Sequence, residues 1–256
     1  MGADEFGSAY SGFAGVYDLF MDDIPYAQWA DYIEKVLEIY RVPKGLVLDL
    51  GCGTGSLSCL LDEKGYDMIG VDLSEEMLGI AKEKAIEENR DILYLNQDMR
   101  EFELYGTVGA IVSVCDSLNY ILEEEELLEV FRLVNNYLDP GGIFLFDLNT
   151  RYKYEELMGE NTIAENRESC SFIWENYYDK EKCINEYNLT IYIEGEDGRY
   201  DRWEETHFER FYETEKIVEL LEKAGMEFLC VTDEFTDCPP GADSQRIVFL
   251  AREKGK

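Results

Sequence analysis

The sequence predicts a doubly wound α/β fold with an inserted antiparallel β subdomain. Up to about residue 150, short apolar runs with little alternation are separated by helix-like segments, the pattern of a parallel sheet covered on both faces. From about 160 to 212 the texture changes to period-two alternation, the mark of strands with one buried face. A helix and two further strands then return to the first architecture.

In chain order, "LVLDL" (46–50), "MIGVDL" (68–73), "ILYLN" (92–96), "AIVSV" (110–114) and "GIFLFDL" (142–148) read as buried strands. Between them, "SEEMLGIAKEKAIEEN" opens a helix with Ser74 as N-cap and acids in its first turn. "EEEELLEVFRLVNNYL" sets Leu127, Phe131, Val134 and Leu138 on one helical stripe and stops at "DPGG". "CSFIWENYY", "INEYNLTIYI" and "RWEETHFERFY" predict an antiparallel sheet of about three strands. "TEKIVELLEKAGM" is a helix with a glycine stop, and "EFLCVTDEF" and "RIVFLARE" are closing strands. The expected division is a main domain over 1–158 and 213–256 with a β lid inserted at 159–212.

The chain has 256 residues with 23 basic and 56 acidic side chains, a net charge of −33. Nucleic-acid binding relies on Lys and Arg displacing counterions from phosphates, and no basic cluster stands out, so no nucleic-acid partner is expected. No run nears the roughly 20 apolar residues that span a bilayer, and the acidic, polar start is unlike a secretory signal. Seven cysteines at scattered positions, without a C-x-x-C pair, suit free thiols in a reducing compartment. With one histidine in the chain, no metal centre is expected. A soluble cytoplasmic protein follows as the expectation.

The chemistry begins at "LVLDLGCGTGSLS" (46–58), where an apolar strand drops into Gly51, Gly53 and Gly55. A strand, a tight glycine turn and a helix form the usual nucleotide entrance, but the dinucleotide pattern is G-x-G-x-x-G, and here the third glycine comes one residue early. Asp49, two residues before the first glycine, would repel a pyrophosphate and favour a ligand with positive charge. S-adenosylmethionine meets that need, with its sulfonium, its ammonium and no phosphate. Gly51 and Gly53 would admit its methionyl part. Asp72, 17 residues after Gly55, would accept from both ribose hydroxyls.

"VLDLGCGTG" resembles the first motif of the class I S-adenosylmethionine-dependent methyltransferases, "GVDLS" their second, "NQDMREF" their third and "VCDSLNYI" (114–121) their fourth. "YSGFAGVYDLFM" is similar to the N-terminal cofactor-covering segment of the small-molecule branch. The likeness runs in order over residues 10–150 and is looser beyond. There it resembles members with an inserted antiparallel lid, sugar-amine N-methyltransferases among them. The resemblance implies a seven-stranded, mostly parallel Rossmann-like sheet and an enzyme that moves a methyl group to N or O of a small molecule. It implies that S-adenosylmethionine is held by Tyr10, Phe13, Tyr17, Asp49, Gly51, Cys52, Gly53, Asp72, Leu73, Met77, Asp98, Met99 and Cys115. Asp98 would bond the adenine amino group beside Met99, and Tyr10, Phe13 and Tyr17 would close over the methionine end. Phe13 and Tyr17 also read as a packing pair at i, i+4, and Met77 also reads as core.

An acceptor hydroxyl or ammonium must lose a proton. The candidates for that work are Asp116, Asn119, Tyr120 and His207, the last sharing a strand face with Glu205 and Glu209. His207 reads equally as a surface-strand histidine. The nucleobase-type D-P-P-Y or N-P-P-Y motif is absent, with Cys115-Asp116-Ser117-Leu118 in its place. The alternatives are a non-catalytic cofactor-binding module and an NAD-dependent oxidoreductase. The expected partner is a small-molecule acceptor, with no membrane, and self-association as a homodimer stays open.

Overall fold

The computed structural model describes residues 14–195 and 197–256; Tyr10 and Phe13 lie outside them. The chain opens with α1 (Ala14–Phe20) and α2 (Tyr26–Ile39). It then alternates β1 (Leu46–Leu50), α3 (Ser56–Glu63), β2 (Asp67–Asp72), α4 (Glu75–Glu87), β3 (Leu93–Asn96), β4 (Val108–Ser113), α5 (Glu124–Tyr137) and β5 (Leu138–Asn149). Four lid strands follow, β6 (Thr162–Asn166), β7 (Cys170–Asp179), β8 (Ile184–Glu194) and β9 (Tyr200–Arg210). The chain closes with α6 (Thr214–Lys223), β10 (Met226–Asp233) and β11 (Arg246–Glu253).

The main sheet has seven strands in the order β10-β11-β5-β4-β1-β2-β3. β1 to β5 run parallel, while β11 pairs antiparallel to both β5 and β10. Alternate residues of β5 feed the two faces. Ile143 and Leu145 join Trp29, Ile33 and Leu37 of α2 on one side. Phe144 and Phe146 join Phe131 of α5, Ile217 of α6 and Phe249 of β11 on the other. Phe146 stacks on Phe144 at 4.6 Å and on Phe249 at 5.1 Å. Continuous apolar strands are therefore required here, because neither face meets water. Ser74 caps α4 as expected, its Oγ accepting from Met77 N at 3.2 Å.

The second sheet is antiparallel and has four strands, β6-β7-β8-β9, one more than the alternation predicted. The extra strand, "TIAEN", is a mostly exposed edge without apolar alternation, so the periodicity misses it. A π-helical turn at Lys153–Met158 leads into this lid and buries Tyr154. The lid's inner face carries Phe172, Tyr187, Leu189 and Ile191, which pack with Val16 of α1.

Helix α1 straps lid to core. Phe20 meets Phe172 edge-on at 4.7 Å, and Arg167 binds Asp22 in a two-pronged pair at 3.0 and 2.8 Å. From the other side, Thr54 Oγ1 donates to Asp18 at 2.6 Å, and Lys84 pairs with Asp18 at 2.9 Å. The strap closes one side of a cavity of about 640 Å³ between the carboxyl ends of the parallel strands and the lid. Such crevices at strand carboxyl ends are where open α/β sheets bind ligands.

Candidate active site

The cavity has two ends. At the first, β1 delivers the chain into a turn where Gly51 has φ +80° and Gly53 φ +53°. A Cβ on Gly51 would lie 2.7 Å from Ser117 Cβ, so only glycine fits between the loops after β1 and β4. Gly53 faces open space instead, with nothing within 4 Å of such a Cβ, and it lines the cavity. Its bare backbone is where a ligand can approach.

Asp72 ends β2 beneath this loop. One of its oxygens accepts from Gly53 N at 2.8 Å and the other from Ser74 N at 2.9 Å. Those bonds hold the carboxylate rigid at the cavity edge. Burial raises its pKa, and the N–H donors from Ser74 and Gly53 offset part of that rise. Asp49 is fully buried, accepts from Ser58 Oγ at 2.6 Å, and is pushed up to about 7 by burial, with the Asp72 charge adding to it. Two carboxylates held this close favour a cationic ligand, and a rigid carboxylate beside two glycines suits a vicinal diol. The residues thus fit S-adenosylmethionine and not a pyrophosphate.

Asp49 yields a prediction. It is half-protonated near neutrality, and only its ionised form attracts a cation. Affinity for S-adenosylmethionine should therefore rise from about pH 6 to about pH 8 and then flatten. Calorimetric titration across that range checks it, and Asp49→Asn should give a flat profile.

Leu73, Met77, Asp98, Met99, Cys52, Cys115 and Tyr17 all line the cavity. Asp98, however, is engaged by Arg100, whose Nε lies 3.0 and 3.1 Å from its two oxygens and whose N–H donates at 2.8 Å. Burial would raise the Asp98 pKa, but these bonds leave it lowered. Burial pushes the Cys52 thiol well up, as do the Asp49 and Asp72 charges, and the Cys115 thiol rises to about 12 by burial. Neither is a nucleophile.

The second end is built by the lid and the turn after β4. That turn carries Cys115 at φ +58° and Asp116 at φ +54°, two consecutive non-glycine residues in the left-handed region. Strain of this kind gathers where a backbone is shaped for a site. On β9, Glu205, His207 and Glu209 alternate onto the inner face and are buried. His207 Nε2 lies 3.1 Å from Glu205 Oε2. Its ring stacks on Tyr187, its cross-strand partner, at 4.8 Å and 17°, and meets Tyr120 edge-on at 5.9 Å. The Tyr120 and Tyr187 hydroxyls are hydrogen-bonded to each other. His207 is thus a cavity residue, not a surface-strand one.

Asn119 is placed differently from its expected role. It is fully buried and does not line the cavity. Its amide donates to Arg210 O at 2.7 Å and accepts from Asn149 N at 3.0 Å, which ties the β4 turn to β5 and β9. Sequence reasoning also missed a buried polar cluster behind Asp116, made of Asp147, Asn149, Tyr154 and Arg246. Its members are up to 130 residues apart, and no local pattern joins them. Among the described residues, no cluster of three or more His, Cys, Asp or Glu could hold a metal ion, and no helix is long and apolar enough to cross a membrane.

Comparison with known proteins gives the same picture. A methyltransferase-domain family matches residues 47–142. YqeM of Bacillus subtilis (strain 168), which carries a methyltransferase name, is 39% identical over 245 residues, covering 95% of this chain and 97% of that protein. The crystal structure of an S-adenosylmethionine-dependent methyltransferase from Clostridium acetobutylicum ATCC 824 superposes with a TM-score of 0.87 at 30% identity, covering 96% of this chain and 99% of that one. The dTDP-3-amino-3,4,6-trideoxy-alpha-D-glucopyranose N,N-dimethyltransferase of Streptomyces venezuelae is 33% identical over 136 residues, covering 52% of this chain and 56% of that enzyme.

Proposed function

Because the chain belongs to the class I S-adenosylmethionine-dependent methyltransferases, we propose that it methylates an amine nitrogen of a small polar molecule, with His207 as the proton acceptor. The observation that carries this is the buried Glu205–His207 pair, 3.1 Å apart on the lid face that lines the cavity. An amine arrives largely protonated at neutral pH and must shed a proton before its lone pair can react. With Nε2–H donated to Glu205, the imidazole carries its lone pair on Nδ1 and can take that proton, while the Glu205 carboxylate stabilises the resulting imidazolium. Tyr187 stacks against the ring and fixes its plane.

The choice of nitrogen over oxygen rests on charge. Asp116, Glu205 and Glu209 all line this end of the cavity, and carboxylates draw in an ammonium where a neutral alcohol gains nothing. The amino-sugar substrate in the name of the Streptomyces relative supports the same reading. When bound, S-adenosylmethionine supplies a methyl group activated by its sulfonium. Asp49, Gly51, Gly53, Asp72, Met77 and Met99 would hold it, Asp72 at the ribose. Tyr120, Tyr187 and the strap helix α1 shield the site, since alignment and exclusion of water do most of the work in such a transfer. The seven unpaired cysteines support a cytoplasmic setting, and the acceptor is read as a small molecule and not a nucleic acid because the chain is so acidic. The oxidoreductase alternative falls with family membership.

The test pairs each primary amine with the alcohol of the same skeleton, incubates both with enzyme and S-adenosylmethionine, and looks for a mass gain of one methyl. Amines should gain it and alcohols should not. Transfer to alcohols alone would reverse the reading, and turnover of neither would favour a non-catalytic cofactor-binding module.

A further inference from the structure

Glu209 sits two residues beyond His207 on the same face of β9 and lines the same cavity. It is 2% exposed. Its Oε2 accepts from Tyr154 OH at 2.8 Å and from Asn149 Nδ2 at 3.5 Å, while its Oε1 takes no hydrogen bond among the described residues. The same Asn149 Nδ2 lies 3.1 Å from Asp116 Oδ2, and Asp116 also lines the cavity. Two carboxylates from separate elements therefore converge on one amide at the cavity wall.

The charges behind that wall do not balance. Arg246 pairs with Asp116 at 2.8 Å and with Asp147, and Lys153 Nζ donates to Asn149 Oδ1 at 2.8 Å. Among the described residues the cluster sets Asp116, Asp147 and Glu209 against Arg246 and Lys153, one positive charge short. An uncompensated buried carboxylate is expensive, so the place is filled by a proton or by a cation from outside.

We propose that Glu209, with Asp116, binds a second ammonium group of the acceptor, so that the substrate is a diamine with its reacting nitrogen at His207 and its other nitrogen at Glu209. The inference rests on the amine reading above. Two residues along an extended strand span roughly 7 Å, which sets the spacing of the two nitrogens. A linear diamine and a diamino sugar with its amines at opposite ends of the ring both meet that requirement.

The proton that fills the empty site gives the proposal a second signature. Burial and the Asp116 charge push Glu209 up to about 8. The other groups acting on it are Lys153, Tyr154 and Arg246, with Glu205 and His207 on its own strand. An ammonium binds the ionised carboxylate, so KM for a diamine should fall as pH rises through about 8. The fall ends where the ammonium itself deprotonates, at about 10.

The experiment compares 1,5-diaminopentane with 5-amino-1-pentanol, and a diaminohexoside with its monoamino counterpart, on wild type and Glu209→Gln at saturating S-adenosylmethionine. The diamine should be preferred in at least one pair, by roughly 30-fold, the value of a hydrogen bond to a charged group. The preference should lie in KM rather than kcat and vanish in Glu209→Gln along with the pH dependence. The pair that shows it tells the aliphatic source from the sugar source. Equal KM within both pairs in the wild type would overturn the inference without a variant, as would an equal loss on both partners in Glu209→Gln. Failure of every amine, with methyl transfer to an alcohol, would remove the amine reading itself and this inference with it.

Discussion

Replacing Asp72 with alanine should weaken S-adenosylmethionine binding by roughly 100- to 1,000-fold, because two charge-assisted hydrogen bonds to the ribose are lost together. The carboxylate is already oriented before any ligand arrives, held by Gly53 N at 2.8 Å and Ser74 N at 2.9 Å. The ribose therefore meets a group that has little ordering left to do. Those same bonds mean that Asp72→Ala leaves two N–H groups without their acceptor, and the ligand-free protein should lose about 1–3 kcal/mol. The two effects separate in a thermal titration. Wild type should gain about 2.7 kcal/mol at 100 times the dissociation constant. The variant should melt lower without ligand and show almost no further rise with S-adenosylmethionine or S-adenosylhomocysteine. A variant that melts lower but keeps the full ligand-induced rise would place the ribose elsewhere.

The second large effect belongs to His207. Removing a general base typically costs 10²- to 10⁴-fold in rate, and His207→Ala should lose about that much kcat with amine acceptors. Its affinity for S-adenosylhomocysteine should stay as in wild type, because the imidazole sits at the acceptor end of the cavity against Glu205, Tyr187 and Tyr120. Glu205→Gln should lose less, since it keeps the ring oriented but withdraws the charge that stabilises the imidazolium. Stopped turnover with both variants, alongside ligand binding by calorimetry, checks the order His207 before Glu205. A His207→Ala enzyme with unchanged kcat would leave the histidine as a packing partner of Tyr187.

The parts of this molecule that the sequence shows plainly are those where a local pattern has one physical cause. "LVLDL" reads as a buried strand because four of its five residues are apolar, and β1 spans those same residues, Leu46–Leu50, with all but the first buried. Asp49, the glycines and Asp72 lie within 24 residues of one another, so their spacing alone defined a loop, a strand end and a cationic ligand. The alternation of Glu205, His207 and Glu209 put all three on one face, and the structure adds that this face is the cavity face. What the chain does not reveal locally is the pairing of distant residues. Arg246 reaches Asp116 from 130 positions away, and Glu209 finds Tyr154 across the start of the lid. Asn119 looked like a site residue because it follows β4, yet long-range partners use up both ends of its amide. Strand β6 was invisible for a different reason: an exposed edge strand needs no apolar face.

A crystal structure of the protein with S-adenosylhomocysteine would show at once where the ribose, the ammonium and the sulfur lie. Both ribose hydroxyls should lie on Asp72, the homocysteine ammonium towards Asp49, and the sulfur against the His207–Tyr187 wall of β9 and β8. The gap between them should accept one nitrogen at the roughly 3–3.5 Å attack distance from the methyl position. An adenosyl group bound off the glycine loop, or a sulfur facing away from His207, would contradict this placement.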